Sequence, residues 1–122
     1  MITGVVRSGA GRIRLLVRIQ GREREVEAII DTGYTALLTL PPKLVVALGL
    51  RWKKVDRCTL ADGSVCLFHV YAARVVWEGK ERRILVDEAD AEPLVGMRLL
   101  KGFELRMQVR SQGKVTIKRL PN

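Results

Sequence analysis

Apolar and polar positions alternate through much of the chain, and the alternation has the period of a half-buried strand. Between residues 12 and 20, Ile13, Leu15, Val17 and Ile19 fall on one face and Arg12, Arg14 and Arg18 on the other. Gly21-Arg22 reads as a tight turn, and a returning strand runs through Val26 and Ala28 to Ile30, with Glu23, Glu25 and Glu27 on its charged face. The period then changes. Pro41-Pro42 opens a short apolar stretch that ends at Gly49, which predicts a helix over residues 42–48 with proline in its first turn and glycine at its C-cap.

Strand-like runs at 52–60 and 65–77 flank Ala61-Asp62-Gly63-Ser64, and Asp-Gly between two such runs predicts a hairpin. A turn at Glu78-Gly79-Lys80 leads into Arg82–Val86. Residues 87–92, rich in Asp and Glu, read as a solvated acidic loop before Pro93-Leu94-Val95-Gly96. Residues 97–101 predict a helical turn capped by Gly102. A last hairpin pairs residues 103–110 with 114–120 through Ser111-Gln112-Gly113. The whole predicts an all-β barrel or sandwich with one short helix, in a single domain over residues 1–122.

Composition narrows the function. The chain has 122 residues and is 48% hydrophobic but only 5% aromatic, so an aliphatic core is expected, small enough to profit from a second copy. Lys and Arg number 22 against 13 Asp and Glu, a net charge of +9. These cations are scattered, with no block of five, which favours a solvated basic surface over a dedicated nucleic-acid face. No apolar run has the ~20 residues of a membrane span, and the first residues lack a signal-peptide layout, so a cytoplasmic protein without membrane contact is expected. One histidine and two cysteines offer no metal cluster, so neither metal nor cofactor is expected. His69 reads as an ordinary strand residue, Cys58 and Cys66 as free thiols facing each other across the hairpin, and Trp52 and Trp77 as core or interface anchors.

The segment that carries chemistry is Ala28-Ile29-Ile30-Asp31-Thr32-Gly33. An ionised carboxylate at the end of a buried strand is costly unless it is hydrogen-bonded or paired. Gly33 lets the chain turn sharply and bring an N–H to that carboxylate, and Thr32 supplies a hydroxyl that can brace a neighbouring backbone. Asp-x-Gly is also a common turn sequence, so the tripeptide alone leaves a purely structural Asp31 open. A second apolar-apolar-Gly element, Leu94-Val95-Gly96, lies 65 residues beyond Asp31.

In this order the chain resembles the retropepsin-like, single-lobe aspartic proteases, closest to the bacterial and archaeal members. The matching elements are AIIDTG, Leu38-Thr39-Leu40-Pro41, the hairpin at Ala61–Ser64 and PLVGMRLL, and they span about residues 13–110. The resemblance implies a closed β-barrel active as a homodimer. Asp31 of each subunit would be catalytic, with Thr32, Gly33 and Gly96 as scaffold. Tyr34, Ala61, Asp62, Gly63 and Ser64 would contact a peptide or protein substrate, the last four at the tip of a flap. Water, activated by the two aspartates, would hydrolyse the peptide bond.

The chain departs from the viral pattern in Tyr34, in Thr35 and Ala36 where acidic residues are common, and in Met97 where an arginine is usual. Arg98 is left free to form a different pair. Aliphatic residues near the motif suggest apolar subsites. The competing reading is a basic β-barrel that binds nucleic acid or peptide without catalysis, with Asp31 structural.

Overall fold

A computed structural model describes residues Met1–Asn122. Ten strands and two short helices follow one another as β1 (Ile2–Arg7), β2 (Ala10–Ile19), β3 (Arg22–Ile30), β4 (Leu38–Leu40), α1 (Pro42–Leu48), β5 (Arg51–Thr59), β6 (Val65–Trp77), β7 (Lys80–Glu88), β8 (Leu94–Val95), α2 (Met97–Leu100), β9 (Phe103–Met107) and β10 (Lys114–Arg119). No helix is long and apolar enough to cross a membrane.

All strands belong to one sheet, ordered β5-β6-β7-β4-β8-β3-β2-β1-β10-β9, which returns on itself where β2 also pairs with β6. The return is made by the length of β2. Its first residues pair with β1, while Leu16, Val17 and Arg18 pair with Val76, Val75 and Arg74 of β6. Six strands thus form a ring and four extend from it. The expected closed barrel is therefore a sheet ring sealed over three residue pairs, because β2 divides one of its edges between two neighbours.

The alternation in β2 is realised: Ile13, Leu15 and Val17 are buried, as are Val26, Ala28 and Ile30 on β3. They join one core cluster with Leu38, Leu40, Val75, Val86, Val95, Leu99 and Ile117. Helix α1 spans the predicted residues and ends where Gly49 takes a left-handed φ of 63°. Trp77 is buried, edge-on to Phe103 at 5.8 Å. Trp52, by contrast, is 54% exposed, so only one of the two tryptophans anchors the core.

Several boundaries differ from the sequence expectation. β1 lies before the first predicted strand and is turned into β2 by Ser8-Gly9. The β2–β3 turn is Gln20-Gly21, with Ile19 opposite Arg22, one residue earlier than expected. Both turn residues have positive φ, the requirement of a two-residue hairpin that follows the twist of its strands. β9 stops at Met107, and a loop reaches Gly113, whose N–H bonds the Arg110 carbonyl. β7 continues through Asp87 and Glu88, so the supposed acidic loop begins two residues late. Those two residues are held by parallel pairing with Thr39 and Leu40 of β4.

Removing the Trp77 ring should test the core's dependence on its largest buried side chain. Trp77→Ala should lose about 3–5 kcal/mol in urea unfolding, the usual cost of emptying such a site.

Candidate active site

Residues 31–37 leave β3 and cross residues 95–98. The Asp31 N–H donates to the Val95 carbonyl at 2.9 Å, and the Gly96 N–H to Leu37 at 2.9 Å. The Met97 N–H donates to Tyr34 at 2.8 Å and the Arg98 N–H to Ala36 at 3.1 Å. These four bonds satisfy backbone groups that irregular chain would otherwise leave open. They also require contact so close that a Cβ on residue 96 would stand 2.2 Å from the Ala36 carbonyl oxygen and 2.7 Å from the Tyr34 ring. Gly96 has an ordinary φ of −100°, so space alone, and not backbone conformation, demands glycine there.

The crossing carries Asp31 out of the core. Ile30 is buried, Asp31 half-buried, and Thr32 and Gly33 exposed. The Gly33 N–H donates to Asp31 Oδ1 at 3.0 Å, which fixes the carboxylate's orientation. Asp31 makes no ion pair within the chain. The chain thus presents one oriented carboxylate on an otherwise neutral, glycine-turned loop.

Tyr34 sits differently from a free subsite wall. It is half-buried, and its hydroxyl donates to Asp87 Oδ2 at 2.7 Å. Burial pushes the Tyr34 hydroxyl well above its ordinary value, so it stays a neutral donor. Burial also raises the Asp87 carboxyl above 3.8, and nearby Asp56 adds to the rise, while the Tyr34 hydrogen bond and Lys54 oppose it. Sequence reasoning missed Asp87 because it ended the strand at Val86; continued alternation from Arg83 and Leu85 was the signal.

Asp31, Gly33, Tyr34 and Gly96 are therefore brought together. Ala61, Asp62, Gly63 and Ser64 are not part of that cluster. They form the tip of the β5–β6 hairpin, where the Leu60 N–H bonds the Ser64 carbonyl and Asp62 Oδ1 accepts the Ser64 N–H at 2.9 Å. That hydrogen bonding holds the Asp62 carboxyl below its usual range. Every residue of β5 is exposed, as are Val65, Cys66 and Leu67 opposite, so the hairpin stands away from the core. Cys58 pairs with Cys66 in register and both thiols are free. Trp52 Nε1 donates to His69 Nδ1 at 3.0 Å, which engages the single histidine.

Beside the loop a groove of about 790 Å³ runs from Ala36 and Leu37 along β5, β6 and β7. Its floor is aliphatic, with Ala72 and Leu85, and Arg and Lys border it. Arg98 lines this groove and makes no ion pair.

A search of solved structures matches this geometry to a retropepsin-like aspartic protease from Rickettsia conorii, with a TM-score of 0.62 over 99% of this chain and 91% of that one. The chain has the retropepsin-like fold. At 20% identity the likeness carries the fold and not the activity. No protein-family profile and no curated protein matches the chain. In this retropepsin-like fold the Asp-Thr-Gly loop and the Val95–Arg98 segment form the crossing described above.

Two substitutions test it. Gly96→Ala should cost about 1–3 kcal/mol or more, the range of overpacking against fixed neighbours. Gly33→Ala, whose Cβ would meet only Asp31 Oδ1 at 3.3 Å, should cost less.

Asp87 gives a pH test. A carboxyl raised by folding contributes stability below its unfolded value and loses it as pH rises through the folded one. Asp87→Asn keeps an acceptor for Tyr34 and removes that loss. The variant should melt higher than the parent at pH 7, and the gain should vanish below pH 3.8.

Proposed function

We propose that the protein is an aspartic endopeptidase that acts as a homodimer, with Asp31 of each copy forming the catalytic pair. One observation carries the reading: the chain presents a single, oriented, unpaired carboxylate at the tip of a rigid crossing, in a retropepsin-like fold. One carboxylate cannot serve as both base and acid in the same step. Two, one from each copy, can.

Two carboxylates about 3 Å apart cannot both ionise, so one holds a proton at a raised pKa. The ionised Asp31 takes a proton from water as the water oxygen bonds to the scissile carbonyl carbon. The protonated Asp31 donates to the carbonyl oxygen. When the C–N bond breaks, the Asp31 that took the water's proton gives it to the leaving amine, and the other Asp31 takes back a hydroxyl proton from the tetrahedral intermediate, so the pair returns to its starting charge. Thr32, exposed in the single chain, would brace the other copy's loop. Gly33 orients the carboxylate and Gly96 keeps the crossing tight.

The exposed β5–β6 hairpin has the form of a flap, with Ala61–Ser64 as its tip over the substrate. Exposed Val55, Leu60, Val65 and Leu67 give it apolar surface that a peptide or second subunit would cover. A non-catalytic basic module remains the competing reading, and the same experiment decides between them.

Mass spectrometry of a peptide mixture incubated between pH 3 and 8 should show cleavage by the parent and none by Asp31→Asn. The rate should follow a bell on the acidic side of neutrality, with values that belong to the pair. Specific activity should fall on dilution as dimers dissociate. Cleavage by a demonstrated monomer, or by the Asn variant, would refute the mechanism.

A further inference from the structure

We propose that the groove leading away from the active-site loop holds an acidic segment of the substrate, bound by a row of arginines across β2, β6 and β7. The word substrate rests on the peptidase reading above; the anion-binding groove does not.

The row is set by strand register. Arg18 of β2 is directly opposite Arg74 of β6, and Arg74 is directly opposite Arg83 of β7. Residues directly opposite point to the same face, so three guanidinium groups stand side by side. All three line the groove. Like charges directly opposite oppose folding, so such a row has a cost that a bound anion would relieve.

The chain itself relieves only one end. Arg18 Nε bonds Glu23 at 2.8 Å, and its Nη1 lies 3.7 Å from Glu81. Arg74 and Arg83 have no carboxylate within reach, and neither do Arg51, Lys53 and Arg98 along the same groove. The groove's two carboxylates are already engaged: Asp56 with Lys54 at 3.7 Å and Asp87 with Tyr34 at 2.7 Å. Five uncompensated cations therefore face one cleft.

The floor decides what kind of anion fits. Ala72 and Leu85 offer aliphatic surface, and Phe68 is the single aromatic side chain in the lining. Single-stranded nucleic acid is held by stacking its bases on several aromatic rings, which this floor does not provide. Carboxylates spaced along a peptide, with apolar side chains between them, match cations around an aliphatic floor. The groove also begins at Ala36 and Leu37, in the same loop that carries Asp31, so a segment held there lies beside that loop.

Binding can be read without turnover in the full-length Asp31→Asn protein. Fluorescence anisotropy would compare a labelled oligoglutamate peptide, its oligoglutamine counterpart, and a single-stranded oligothymidylate of equal charge. The oligoglutamate should bind best and weaken with salt. Arg74→Glu and Arg83→Glu should each weaken it about fivefold or more, the scale of one ion pair. Arg83→Glu should at the same time raise the melting temperature, because it turns a repulsive cross-strand pair into an attractive one. That opposite movement separates lost binding from lost folding, and Arg74→Gln with Arg83→Gln supplies a second variant if a reversal fails to fold. With Asp31 intact, the ratio of cleavage rates for acidic over neutral peptides should fall in the same variants.

Unchanged oligoglutamate affinity in the variants would overturn the proposal. So would tighter binding of the oligothymidylate than of the oligoglutamate, which would make the groove a nucleic-acid site. Binding that behaves as expected beside a parent enzyme that cuts no peptide would refute the peptidase reading and leave an acidic-peptide groove.

Discussion

The backbone crossing between residues 31–37 and 95–98 is the constraint on which the candidate site depends. Four hydrogen bonds join residues 59 to 64 apart in sequence, and Gly96 lets them approach to a distance no other residue permits. The crossing sets β4 between β7 and β8, parallel to the first and antiparallel to the second. It also places the start of α2, whose Leu99 and Leu100 enter the core. The loop carrying Asp31 is thus fixed from below by packing and from within by the Gly33 N–H. The proposed pair of carboxylates would need such positioning, since catalytic geometry tolerates errors of only about 0.5 Å.

Tyr34 shows how the crossing is extended into the sheet. Its ring lies against Gly96 and its hydroxyl ties the loop to Asp87, at the far end of β7. The tie has a consequence for electrostatics. Burial penalises the charged form of Asp87, while the Tyr34 hydrogen bond favours that form and offsets part of the cost. The bond that ties Tyr34 into the sheet thus couples the loop to the charge on Asp87.

Much of this was legible from local chemistry. Alternation in β2 and β3, proline and glycine around α1, and apolar residues running into Asp31-Thr32-Gly33 each follow from interactions within a few residues. Asp87 and β1 were not, for a shared reason. Both lean on distant partners: Asp87 pairs with Thr39 and Val70, and Ile2 pairs with Ile117, although Val6 and Arg7 also have local partners in β2. The cluster of Asp and Glu around residue 87 looks like a loop and hides the alternation that continues from Arg83 and Leu85. The ring closure is similar, since nothing in the period of β2 tells that its second half turns from β1 to β6.

Charge was misleading in a more instructive way. Along the sequence the cations are evenly scattered, which suggests a diffuse surface. In space they divide into two populations. Across β1, β2 and β3 the alternating signs come within reach of each other, so Arg7 pairs with Glu27, Arg14 with Glu25 and Arg18 with Glu23. On β6 and β7 the register places Arg74 against Arg83 instead, and no acid answers them. The first arrangement spends its charge within the fold. The second keeps charge in reserve at some cost to stability, and it does so beside the groove that begins at Ala36 and Leu37. A net charge of +9 says little about partners until pairing has removed the cations already satisfied, and five of those that remain face this one groove.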